Sequence, residues 1–152
     1  MYRGQMKFDF IDFIENRYPK VCDKRSLPAY RRNKERDIAI VALILGTGIR
    51  VSETANVNVN DINWQQQMLD VTRKGGQKDS VPIAPWAVKY VQDYRDLRAQ
   101  RYGATKKDQA FFLTVYQGKT RRITANAIER MVKKYSTAFG HPLTPHKLRH
   151  TL

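Results

Sequence analysis

Apolar residues recur first at helical spacing. Phe8, Ile11, Ile14 and Tyr18 fall at every third or fourth position, which predicts a short amphipathic helix ended by Pro19. Residues 20–34 are polar and basic, contain Pro28 and read as a linker. From Glu35 to Leu45 the apolar positions crowd again. Ile38, Val41, Ala42 and Leu45 mark a helix that Gly46 and Gly48 should stop, and a short helix restarts over Val51 to Asn56. The period then changes. Val57, Val59, Ile62 and Trp64, then Met68, Leu69 and Val71, then Val81 and Ile83 predict short strands, with Gly75-Gly76 turning a hairpin between the last two runs. A long helix follows from about Trp86 to Arg101, with Ala87, Tyr90, Val91, Tyr94 and Leu97 on one face and Gly103 at its end. Phe111 to Leu113 is a short apolar piece. Thr124 caps another helix, whose face is Ile128, Met131, Val132, Tyr135 and Phe139 and which stops at Gly140. Thr144, Pro145 and His146 supply a cap, a first-turn proline and the start of a last helical run to Leu152. The expected fold class is mostly α with a small antiparallel β-sheet (α+β).

Composition narrows the class. The 152 residues fit one domain with a core of its own, and 41% apolar with 28% charged residues is the balance of a globular chain. The longest apolar run, Ile38 to Leu45, falls well short of the ~20 residues that span a bilayer, and Met1 to Lys7 has no signal-peptide pattern. No membrane partner is expected. Cys22 stands alone, which excludes an intrachain disulfide and a cysteine-rich metal site, and a reducing cytoplasm is the simplest compartment.

Charge adds a partner. The net charge is +14, with a pI near 10.1. Residues 1–85 hold 14 Lys or Arg and 10 Asp or Glu, whereas residues 86–152 hold 14 and 4. A field of that sign attracts a polyanion such as nucleic acid.

Four stretches could act on a phosphate. In Thr47-Gly48-Ile49-Arg50-Val51-Ser52-Glu53 an arginine stands where a glycine turn enters a helix. A guanidinium there can grip two phosphate oxygens, and Glu53 could orient it; a structural Arg–Glu pair on one helix face is the plain alternative. In Val71-Thr72-Arg73-Lys74-Gly75-Gly76-Gln77-Lys78 a lysine at a hairpin tip can reach a substrate and give a proton to a leaving oxygen, or it is simply part of an exposed basic turn. In Pro145-His146-Lys147-Leu148-Arg149-His150, His146 and Arg149 lie three apart on one helix face and suit proton transfer with charge stabilisation. His146 and His150, four apart, lack the third ligand a zinc site needs, so no metal is expected. Tyr116, Lys119, Arg121, Arg122, Lys133 and Lys134 could follow a DNA backbone.

Taken in order, G-T-G-I-R-V-S-E, a lysine hairpin ending in V-P-I, and H-x-x-R-H-T resemble the catalytic domain of tyrosine recombinases, the phage integrases and Xer-type resolvases, over about Asn33 to Leu152. The likeness is nearest to the Xer type of Gram-positive bacteria. It implies that Arg50 and Arg149 clamp the scissile phosphate, that Lys74 protonates the departing 5′ oxygen, and that His146 assists proton transfer. It further implies that Glu53 supports the first arginine and that His150 has a supporting role, while Lys78, Lys119, Arg121 and Arg122 are the expected DNA contacts by their charge. The family commonly has Gly where this chain has Arg73, which leaves Lys78 as a rival to Lys74. The implied reaction is site-specific recombination or integration of double-stranded DNA by reversible transesterification through a 3′-phosphotyrosine, without metal, ATP or other cofactor.

The family's nucleophile lies a few tens of residues after H-x-x-R, whereas all eight tyrosines here precede that motif. The expectation is therefore a C-terminally truncated catalytic domain over residues 34–152, which binds DNA phosphate but does not cleave. Residues 1–33 would be a helix and linker, the tail of an upstream DNA-clamping domain. The parent would act as a tetramer on DNA at the nucleoid, and the fragment as a monomer or weak oligomer. The alternative is a non-catalytic DNA-binding protein derived from a decayed integrase, and an unrelated RNA-binding module is a third possibility.

Overall fold

A computed structural model describes residues 3–141 and His146. It is mostly helical with small antiparallel β structure, as the apolar pattern predicts, but the strands form two sheets where one was expected. Helix α1 (Arg3–Asp12) passes through a π-helical turn at Phe13–Arg17 into α2 (Tyr18–Val21). Pro19 does not end the helical path. It occupies the first turn of α2, where a missing N–H costs nothing. Most of the expected linker is also helical, because α3 (Leu27–Thr47) begins with Pro28 in its first turn and buries Tyr30. Phe10, Ile11, Phe13, Ile14 and Tyr18 lie in the same buried cluster as the apolar residues of α3.

Gly46 does not stop α3. It lies inside the helix, which ends at Gly48 in a left-handed conformation. Gly46 allows a close crossing: a Cβ built there would stand 2.7 Å from Ala87 Cβ, and its carbonyl accepts from Ala84 N at 3.0 Å. Helix α5 (Pro85–Tyr102) therefore starts directly against the end of α3. Between them lie α4 (Val51–Ala55), a short 3-10 turn at Val59–Asp61, and the strands β1 (Ile62–Asn63), β2 (Met68–Thr72) and β3 (Lys78–Pro82), ordered β1-β2-β3. The alternation expected from Val57 is thus broken until Ile62, where the first strand begins.

A second hairpin, β4 (Leu113–Tyr116) and β5 (Lys119–Arg122), was not foreseen beyond its apolar start at Phe111. Its strands alternate little in polarity, and Gln117-Gly118 turns it with both residues at positive φ. Helix α6 (Ala125–Phe139) begins as expected, with Thr124 Oγ1 accepting from Ala127 N at 3.1 Å, and ends at a left-handed Gly140.

One polar network crosses the core. Asp37 on α3 accepts from Arg36 through Oδ1 and from Tyr135 of α6 through Oδ2, while Arg36 Nη1 donates to Leu113 O of β4. Burial works against the Arg36 charge, but Asp37 holds its pKa above the usual guanidinium value. Among the described residues, every buried side-chain N or O has a hydrogen-bond partner. Arg98 of α5 fastens the loop before β4 by donating to the carbonyls of Asp108, Ala110 and Phe111.

Candidate nucleic-acid interface

Arg50 is the N-cap of α4, with an extended backbone and an exposed side chain. It is placed by Glu53, whose Oε1 accepts from the Arg50 backbone N–H at 2.8 Å. This is half of a capping box: a carboxylate three residues into the helix reaches back to the first free donor. Glu53 thus fixes the Arg50 main chain.

The Glu53 carboxylate binds a different guanidinium, that of Arg73. Arg73 Nη1 donates to Glu53 Oε1 at 3.0 Å, and Arg73 Nε donates to Asp79 Oδ2 at 3.1 Å. Glu53 is 8% exposed, so its charge needs such a partner. Hydrogen bonds to Glu53, then to Asp79, raise the Arg73 pKa above the usual guanidinium value. Arg73 follows the last residue of β2 and immediately precedes Lys74. Its backbone also closes the turn, since Arg73 N donates to Gln77 O and Gly76 N to Arg73 O. Gly75 and Gly76 both take positive φ, which lets three residues reverse the chain. Lys74 and Lys78 are both exposed, Lys74 in the turn and Lys78 at the start of β3, opposite Thr72. The loop after α3 and the lysine hairpin are therefore joined through one buried carboxylate.

The second hairpin carries the other basic residues. Lys119 and Arg121 are exposed, and Arg121 lies 5.6 Å from the centre of the Tyr116 ring, which is itself 57% exposed. Arg122 turns inward. Its Nη1 donates to Ala55 O at 3.0 Å and Val57 O at 3.1 Å, and its Nη2 donates to Asn58 Oδ1, binding β5 to the chain that leaves α4. Lys133 and Lys134 belong to α6, and Lys134 lies over the buried Tyr135 ring at 4.5 Å.

His146 is helical and exposed, whereas Arg149 and His150 lie outside the described residues. The structure therefore brings the Arg50 loop and the Lys74 hairpin together, and leaves the placement of the H-x-x-R pair unspecified. Sequence reasoning missed Arg73 and Asp79. The register Thr72↔Lys78 and Val71↔Asp79 makes them diagonal neighbours beside the turn, so a closer reading of the hairpin would have paired them. No sequence signal links Arg73 to Glu53, 20 residues away.

Residues 20–152 match the phage integrase family model. The whole chain is 47% identical to the tyrosine recombinase XerS of Streptococcus gordonii and to that of Lactococcus lactis, and in each case covers 43% of the relative. The chain thus spans less than half the length of these relatives. Among solved structures, the XerA recombinase superposes with a TM-score of 0.69 at 25% identity, over 99% of this chain and 47% of that one. The XerH site-specific recombinase bound to its difH substrate superposes with a TM-score of 0.71 at 15% identity, over 99% of this chain and 40% of the other, a likeness of fold. With a family match across most of its length and full-length similarity to Xer-type recombinases, the chain belongs to the phage integrase family.

Proposed function

We propose that this chain is the phosphate-binding part of a site-specific DNA recombinase, whose full protein cuts and rejoins double-stranded DNA by transesterification through a 3′-phosphotyrosine. In this reading Arg50 and Arg149 hold the scissile phosphate and stabilise the charge that gathers on its oxygens. Lys74 protonates the 5′ oxygen as it leaves, and His146 moves the proton of the attacking group. Lys78, Lys119 and Arg121 contact the DNA backbone. His150 is a supporting residue, and Glu53 supports Arg50 through the main chain. The full protein works as a tetramer on two DNA sites, beside the chromosome in the cytoplasm.

The observation that carries the reading is the Glu53 carboxylate, which ties the loop bearing Arg50 to the residue before Lys74. Two exposed cations that the family resemblance assigns to one phosphate are thus borne on segments fastened to each other.

Taken alone, these 152 residues bind DNA without cleaving it. All eight tyrosines precede Pro145. Tyr94 and Tyr135 have their hydroxyls committed to Phe111 O and Asp37, and burial raises both phenol pKa values, which weakens them further as nucleophiles.

The test is incubation of the chain with nicked duplexes carrying the recombination site of an Xer-type relative, resolved on native and denaturing gels. Salt-sensitive complexes without a covalent adduct are expected. A protein–DNA adduct that survives denaturation refutes the non-cleaving part. Binding that Arg50→Ala leaves unchanged refutes the phosphate role of Arg50.

A further inference from the structure

Arg73 immediately precedes Lys74, and the proposed function gives it no task. Its guanidinium spans two carboxylates on different elements, Glu53 of α4 at 3.0 Å and Asp79 of β3 at 3.1 Å. The Glu53 oxygen it uses is the same one that accepts from Arg50 N. Its own main chain closes the turn that presents Lys74. From Arg50 to Lys74, then, runs an unbroken path: the Arg50 backbone, Glu53 Oε1, the Arg73 guanidinium, and one peptide bond.

We propose that Arg73 is a positioning residue that holds Lys74 against the same phosphate as Arg50, and that it does so by bridging Glu53 and Asp79. The inference rests on the reading of Lys74 as a phosphate-facing residue. The chemistry favours arginine for the task. A planar guanidinium offers donors in fixed, divergent directions and can satisfy two carboxylates at once, whereas an ammonium is a single point charge on a flexible stem. Two carboxylates also offset the Arg73 charge, which makes it a poor phosphate ligand in its own right. Arg73 is partly covered, whereas Lys74 is exposed. A turn built on two glycines at positive φ has little stiffness of its own, so an anchor at its base decides where the lysine points.

The experiment is a double-mutant cycle on the full 152-residue chain, read by fluorescence anisotropy with a labelled duplex across a salt series. Each phosphate contact contributes about 0.9 to the slope of log K against log salt. Lys74→Ala is expected to lower the slope by about 0.9 in the otherwise unchanged chain, and by nothing further in an Arg73→Ala background. A merely structural arginine would lower the melting temperature without removing the effect of Lys74→Ala. Arg73→Lys, which keeps the charge but lacks the planar fork that reaches Glu53 and Asp79 in fixed directions, is expected to behave as Arg73→Ala does.

An undiminished Lys74→Ala effect in the Arg73→Ala chain overturns the positioning role, and so does full coupling retained by Arg73→Lys. An additive fall of about 1.8 in the double variant would make Arg73 a phosphate ligand itself and also overturns it. If Lys74→Ala changes nothing even with Arg73 present, the Lys74 assignment fails first and the inference falls with it, an outcome separable from the others. Should Arg73→Ala fail to fold, Asp79→Asn, which removes one carboxylate of the bridge while keeping its shape, is expected to reduce the Lys74→Ala effect to less than half, and an undiminished effect there overturns the proposal.

Discussion

Tyr135 of α6 donates its hydroxyl to Asp37 of α3 at 2.7 Å, joining positions 98 residues apart. The same carboxylate holds Arg36, whose side chain is 9% exposed, so Asp37 settles two polar groups inside the core. Tyr135→Phe removes one hydrogen bond to a charged group and is expected to cost about 1.5–3 kcal/mol. Asp37→Ala leaves the Arg36 charge buried without its partner and is expected to cost more, about 3–5 kcal/mol. Urea unfolding of both variants checks the order, and equal losses would remove the argument that Arg36 depends on Asp37.

Gly46→Ala places a methyl group 2.7 Å from Ala87 Cβ, where two helices meet over backbone and neither side chain can rotate away. Better helix propensity at position 46 is outweighed, and a net loss of about 1–3 kcal/mol is expected. Thermal unfolding measures it. A rise in melting temperature would mean that α3 and α5 do not approach this closely.

Arg121 and Arg122 are adjacent and are expected to behave differently. Arg122→Ala strips donors from Ala55 O, Val57 O and Asn58 Oδ1 and should lower stability by about 1–3 kcal/mol. Arg121→Ala should leave stability unchanged while lowering the salt slope of DNA binding by about 0.9. Paired melting and anisotropy measurements separate the two, and a stability loss from Arg121→Ala would contradict the assignment.

Alkaline pH should unfold the chain through its buried phenols. Burial, followed by the nearby Glu35 charge, pushes Tyr30 up to about 12, and burial pushes Tyr94 up to about 12, from an ordinary value of 10.0. A phenol whose folded pKa is raised binds its proton more tightly in the native state. Its stabilisation is complete below pH 10 and is lost as pH rises from 10 towards 12. Denaturant midpoints should therefore fall across that window. Tyr30→Phe should start lower, having lost its bond to Ile14 O, yet decline less steeply. A midpoint that stays flat through the window would contradict the burial of these phenols.

Regular periodicity made α5, α6 and β2 legible, because one face of each is buried and that face is written in the sequence, whereas β3 was legible from the Gly75-Gly76 turn that precedes it. Residues 20–34 misled because polar residues on an exposed first turn look like a linker, and Pro28 reads as a breaker until its place in the first turn is known. Gly46 misled for a related reason: a glycine demanded by a neighbour's approach cannot be told from one that ends a helix. At the site, Arg50 and Lys74 were legible because motif order carries them. Arg122 was read as a DNA contact because charge was the only guide, and the carbonyls it serves come from residues 64 to 67 positions away. Arg73 was noticed only as a departure from a pattern, since its partner Glu53 is supplied by tertiary folding.

Arg98 holds the loop before β4 through three carbonyl oxygens. Every amino acid offers that same oxygen, whatever its side chain. Arg98 thereby holds residues 108–111 by their main chain, alongside Val59, which donates to Gln109 O, Val57, whose carbonyl accepts from Phe111 N, and Tyr94, which donates to Phe111 O. Gln109, the one exposed residue of that stretch, is free to change its side chain without disturbing this anchor, while a substitution at Arg98 would release all three of its attachments at once. An engineer seeking a place to attach a fluorophore would do well to choose Gln109 and leave Arg98 alone.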